Sequence, residues 1–227
     1  MAFASSSAIL RSIAAIFLET LGLPALARWK RTAAPVSFTF LCRYFLIRRK
    51  ALGALPFLLR EVNAPIYATR LVAGFIEDKL ADYKFQGARV NVFDPERDTI
   101  SAGSFRVTPF RVAHSVPDGV GFSIDTPEGR IFHISDYKFD WTPVDGRPFD
   151  VAKLSALASE GTLALASDCL GSTTPGYTES EKEIEDRIGG IAGSTKGQVF
   201  FTTISSNISR MKQALNIAQK LNRKAVF

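Results

Sequence analysis

From residue 51 onward the apolar positions of the chain recur with regular periods. In ALGALPFLLREV (51–62) they fall at helical spacing, and Asn63-Ala64-Pro65 ends the run. IYAT then reads as a short strand, and RLVAGFIEDKLADY (70–83) as an amphipathic helix. VNVF (90–93) is a strand. In SFRVTPFRVA (104–113), after Gly103, Phe105, Val107 and Pro109 alternate, and Phe110 and Val112 follow out of phase, which predicts a strand bent at the proline. GVGFSID and RIFHIS flank the turn TPEG, where Gly129 supplies the positive φ a hairpin requires. LALASD (163–168) is an apolar strand with a polar end. TESEKEIEDRIGGIA opens with a capping-box pattern, Thr178 with Glu181, and predicts a helix. QVFFTTI (198–204) reads as a buried strand, NISRMKQALNIAQKL (207–221) as a helix, and KAVF as the start of one more strand. The alternation gives an α/β or mixed α+β architecture without repeats.

Residues 1–51 do not share this grammar. They hold Ser, Ala and Arg with apolar runs of no stable period. Eight of the 28 basic residues and one of the 22 acidic ones fall there, so that segment carries +7 and the remainder −1. The pI of about 9.4 therefore belongs to the first quarter and says little about a nucleic-acid partner. Arg11, Glu19 and Pro24 interrupt the apolar stretch 8–27, which disfavours stable membrane insertion. The start MAFASSS lacks the basic residues of a secretory signal. Two readings stay open: an organellar transit peptide, or a stretch out of frame or with a misplaced start. Cys42 and Cys169 are far apart and form no disulfide framework, which points to a reducing compartment.

Both histidines of the chain lie in RVAHSVPDGVGFSIDTPEGRIFHISDYKFD (111–140). His114 follows one strand, in VAHS, and Asp136 follows another, in HISD. Imidazole and carboxylate at strand ends are the donor types of a metal site. Spacing alone leaves open an ordinary surface or core histidine.

Four stretches carry a family resemblance: PIYATRLVAGFIEDKL; FRVTPFRVAHSVPDGVGFSIDTPEGRIFHISDYKFDWTPVDGRPFD; ASDCLGSTTPGYTESEKEI; and FFTTISSNISRMKQALNIAQKLNRKAV. Together they resemble ribonuclease J, the β-CASP branch of the metallo-β-lactamase superfamily, over about residues 52–227. HSVPD followed by SDYKFD-x-TPVDG is the specific part. The resemblance implies a partial metallo-β-lactamase αββα fold leading into the start of a β-CASP α/β insertion. The implied divisions are a basic segment outside the family (1–51), a partial metallo-β-lactamase domain (52–160) and the first part of a β-CASP domain (161–227).

The implied activity is zinc-dependent hydrolysis of RNA phosphodiesters, with two metals per site in the family. His114 would ligate one metal and Asp136 would bridge both. Asp168 would order the site as a further catalytic carboxylate. Ser205, Ser206 and Asn207 would contact phosphate before a helix start, where free N–H groups favour anions. His133 would pack or support the ligands rather than ligate. Single-stranded RNA is the implied partner, homo-oligomers occur in such families, and the expected place is the bacterial cytoplasm, or an organelle if residues 1–51 are a transit peptide.

The chain also departs from the family pattern. Before Gly53-Ala54-Leu55-Pro56 the family carries H-x-H-x-D-H; here Ile47, Arg48, Arg49, Lys50, Ala51 and Leu52 stand there. Phe227 falls inside the β-CASP insertion, and Ser209 replaces the histidine of S-N-I-H-R. Zinc wants about three protein ligands even at a catalytic site. The expectation is therefore weak or absent zinc and incomplete catalysis. The alternative is a non-catalytic module that binds RNA or a partner.

Overall fold

In the computed structural model, residues 55–57, 59–60 and 65–226 are described. Residues 1–51, with Cys42 and the Arg48-Arg49-Lys50 run, lie outside them. So does much of the helix expected over 51–62, which is helical at 55–57 and 59–60.

The elements in chain order are β1 (Ile66–Ala68), α1 (Arg70–Asp82), β2 (Val90–Val92), β3 (Ile100–Ala102), β4 (Phe105–Arg111), β5 (Val120–Thr126), β6 (Gly129–Ile134), α2 (Val151–Ala158), β7 (Ala164–Ser167), α3 (Glu181–Ser194) and α4 (Ile208–Lys220). This is the mixed α/β architecture the periodicity predicts. β1 and β2 pair in parallel, and β3 to β7 form a sheet in sequence order.

Two compact units are distinguished. The first comprises the described residues up to Asp94, with Thr99–Val107 and Ile124–Arg130. On α1, Val72, Ala73, Ile76 and Leu80 share one face and bury it with Leu55, Leu59, Ile66 and Ala68. Burying each large aliphatic side chain contributes about 1.5–3 kcal/mol. The β3–β4 hairpin pairs Ile100 with Val107 and turns at Gly103, φ 60°.

The second unit comprises Pro95–Asp98, Thr108–Ser123 and Ile131–Phe227. Its core is Phe110, Val112, Phe132, Ile134 and Phe149, with Val151, Leu154 and Leu157 of α2 packed on it. Asp150 caps α2 by accepting the Lys153 N–H at 2.9 Å. β6 and β7 run parallel, from Ile131 opposite Ala164 to Ile134 opposite Ser167.

β4 is continuous through Pro109, and its buried positions change phase there, from 105, 107 and 109 to 110 and 112. Four other expectations are corrected. β3 and α2 exist although the periodicity does not predict them. The cap of α3 is Ser180, not Thr178: Glu181 is the first helical residue, so the Thr178–Glu181 box is out of register by two residues. Residues 198–204 form no strand, and Phe200 and Ile204 are 88% and 71% exposed. A strand exists by pairing its N–H and C=O groups with a neighbour, and the described residues supply none to this run. Residues 224–226 are likewise exposed and form no strand.

Candidate functional site

The parallel pairing of β6 and β7 sends both following segments out of the same end of the sheet. Asp136 is two residues past Ile134, and Asp168 is one past Ser167. The Asp168 N–H donates to the Ile134 carbonyl at 3.1 Å, so the ladder continues up to that carboxylate. His114 joins them through an antiparallel bridge, Ala113 opposite Lys138, in which the Lys138 N–H donates to the Ala113 carbonyl at 2.7 Å. In that register His114 comes next to Tyr137, on backbone adjacent to Asp136. The helix α4 is tied to the same place: the Ser209 N–H donates to the Ser115 carbonyl at 3.0 Å. The fold thus gathers the backbones of His114, Asp136, Asp168 and the start of α4.

The side chains add constraints. His114 Nδ1 accepts the Val116 N–H at 3.4 Å. A neutral imidazole in that arrangement carries its proton on Nε2, and ligation through Nε2 would move the proton to Nδ1 and break this bond. Asp168 Oδ1 accepts the Leu170 N–H at 3.1 Å. Asn207 is the N-cap of α4, its Oδ1 accepting the Arg210 N–H at 2.9 Å. The N–H groups of Ser209 and Arg210 are both engaged, so an anion at this helix start would be left the Ile208 N–H and the hydroxyls of Ser205 and Ser206. His133 lies in β6 opposite Ala166, between buried Phe132 and Ile134, and burial pushes its pKa down to about 4.

A buried polar network that the sequence patterns do not predict holds the loop following Asp136. Asp140 is only 3% exposed. Its Oδ1 accepts the Thr142 N–H at 3.0 Å and the Ser180 hydroxyl at 2.8 Å, and its Oδ2 accepts the Glu181 N–H at 2.9 Å. Burial pushes the carboxyl up, but those donors and the Lys138 ammonium at 3.6 Å outweigh it, and the pKa lies below the usual value. Lys138 also reaches the Glu179 carbonyl at 2.6 Å and Glu181 at 3.1 Å. Arg210 pairs with Glu181 at 3.1 Å, and Gln213 donates to the Glu181 carbonyl at 2.7 Å. The start of α3 is thereby locked to the Asp140 loop and to α4. Its only sequence signal is a Ser-Glu pair beginning a helix, with nothing local naming Asp140 as the partner.

Among the described residues no three His, Cys, Asp or Glu side chains gather as a metal-holding group. No described helix is long and apolar enough to cross a membrane.

No protein-family model matches the chain. Ribonuclease J of Thermus thermophilus is 38% identical over 184 residues, covering 78% of this chain and 32% of that protein. Ribonuclease J 1 of Streptococcus pyogenes is 39% identical over 178 residues, 78% of this chain and 31% of the relative. Ribonuclease J2 of Bacillus subtilis is 31% identical over 173 residues, 76% of this chain and 31% of the relative. The chain spans about a third of the length of these curated relatives. A crystal structure of a protein of unknown function from Enterococcus faecalis matches with a TM-score of 0.51 at 14% identity, covering 69% of this chain and 39% of that one. That likeness concerns the fold alone.

Proposed function

We propose, from a chain that is ribonuclease J-like over more than three quarters of its length, that it is part of an RNA-processing nuclease acting on single-stranded RNA phosphodiesters in the bacterial cytoplasm. The observation that carries the reading is the convergence of His114, Asp136 and the α4 start within the stretch that resembles those nucleases. His114 and Asp136 are the metal ligands of this reading, and Asp168 orders the site from β7. Ser205 and Ser206 offer hydroxyl donors to a phosphate, and His133 stays behind the sheet end as packing.

The zinc pair expected in such an enzyme does not fit the described residues taken by themselves. Of those at the sheet end, His114 and Asp136 are the ligands of this reading, and no three His, Cys, Asp or Glu side chains of the described residues gather where each zinc wants about three donors. These residues alone therefore do not make up a hydrolytic centre. What they do is bind and orient: the hydroxyls receive a phosphate, and the Asp140 network fixes the loop carrying Asp136.

The test is metal analysis together with RNA turnover for the chain and for His114→Ala. The expected result is RNA binding that fades with salt as counterions are released, zinc below one per chain, and little turnover. Failure to bind single-stranded RNA would sink the reading. Robust cleavage abolished by His114→Ala would support the nuclease and show that donors beyond the described residues complete the centre.

A further inference from the structure

We propose that Phe139 and Trp141 form a stacking platform for the bases of single-stranded RNA beside the Asp136 end of the sheet. The inference rests on the RNA reading above and gives it a contact surface. Large apolar side chains exposed singly need no explanation. These two differ in arrangement. Asp140 is turned in and pinned by three hydrogen bonds, while its neighbours on either side are turned out, Phe139 at 56% and Trp141 at 67% exposure.

The Phe139 half of the platform has a rigid backing. The Phe139 ring lies 4.8 Å from the buried Phe149 ring at a tilt of 32°, and it meets Tyr137 edge-on at 5.5 Å. Phe149 in turn lies 6.2 Å from Phe110 in the core. Phe139 is thus supported from beneath by packed aromatics and open above. Little conformational freedom remains to be lost when a base settles on it, which favours binding.

Its position selects the occupant. Phe139 and Trp141 follow Asp136 by three and five residues, so the Trp141 Cα lies within about 18 Å of that of Asp136 at full extension. The same loop is hydrogen-bonded to the strand end bearing His114 through Lys138. A strand of RNA with a phosphate on the Ser205 and Ser206 hydroxyls, at the α4 start tied to the His114 strand end, has neighbouring bases within reach of the two rings. Every base has a π-face, so such contacts are tolerant of sequence.

The chain contains two tryptophans, Trp29 and Trp141, which makes the proposal readable by fluorescence. In Trp29→Phe, Trp141 is the sole indole. This chain is titrated with a short uridine oligomer and with its abasic counterpart, chelator present, following oligomer anisotropy and indole emission. Binding of the uridine oligomer should quench Trp141. Trp141→Ala should weaken that binding by about tenfold (roughly 1.4 kcal/mol), and Trp141→Phe should recover most of the loss. The slope of log affinity against log salt should not change, because no phosphate contact is lost. The abasic oligomer should not distinguish Trp141→Ala from its parent. Uridine oligomer bound equally by Trp141→Ala, with no quenching, would overturn the platform and leave the RNA reading standing. Absence of RNA binding in every chain would overturn both. A Trp141→Ala effect confined to sedimentation would mark the patch as a protein contact and also overturn the proposal.

Discussion

Asp140→Asn replaces one oxygen of a buried carboxylate with an amide nitrogen of nearly the same size. If the remaining oxygen keeps the Thr142 N–H and Ser180 hydroxyl, the new NH2 faces the Glu181 N–H that Oδ2 now accepts at 2.9 Å. A donor then opposes a donor inside the protein. One charge-assisted hydrogen bond is lost, about 1.5–3 kcal/mol. The negative charge at the start of α3 is lost as well, a further 0.3–1 kcal/mol or so. Lys138 keeps Glu181 at 3.1 Å, so its own charge is not stranded. The sum is about 2–4 kcal/mol. Urea unfolding followed by circular dichroism should show the midpoint falling by roughly 1–2 M at an unchanged slope near 2 kcal/mol per M. The deficit should depend on pH in a defined direction. The folded carboxyl titrates below its unfolded value, so its contribution is whole above about pH 4 and is lost as acid protonates the folded form. The two proteins should therefore converge below that pH. A gap under about 0.5 kcal/mol at neutral pH, within the range of ordinary surface substitutions, would refute the reasoning. So would a gap that widens on acidification.

His133 is half-buried, and desolvation holds its pKa down at about 4 against an ordinary 6.5, so the unfolded chain takes up the proton first. Stability is full above about pH 6.5 and falls towards pH 4 by roughly 3 kcal/mol. His133→Gln should flatten that window, and parallel acid dependence in denaturation of both chains would count against it. Gly121 in β5 has no room for a methyl group: a Cβ there would come within 3.0 Å of the Phe110 ring, which is fully buried. Gly121→Ala should lower stability by about 1–3 kcal/mol, and Phe110→Leu in the same chain should return part of it; simple additivity of the two losses in thermal melts would show that the ring is not the obstacle.

What was legible in the sequence is what is local. The face of α1 repeats within thirteen residues and the β5–β6 hairpin closes over a short turn, so period and glycine suffice. α2 had a readable signal, Val151, Leu154 and Leu157 after the capping Asp150, but its eight residues sit in a run rich in Ala and Ser. Residues 198–204 show the limit: an apolar run reports that a segment prefers burial, not whether a partner strand is at hand. Distance along the chain also hides the Asp140 network, whose donors Ser180 and Glu181 lie about forty positions away. The adjacency of His114 and Asp136 comes from pairing too, through the Ala113–Lys138 bridge, and no spacing rule contains it.

The uncovered run 198–204 has a bearing on handling the protein at concentration. QVFFTTI holds no charge, proline or glycine, and joins two adjacent phenylalanines to β-branched residues. Such a stretch is able to stack with copies of itself into cross-β ribbons, each chain satisfying the backbone groups of the next. Lys196 stands just before it as a lone gatekeeper, separated by a glycine. Charge added at Val199 or Phe201 would repel a second copy without touching the His114 and Asp136 strand ends, and the shelf life of the purified material would rise accordingly.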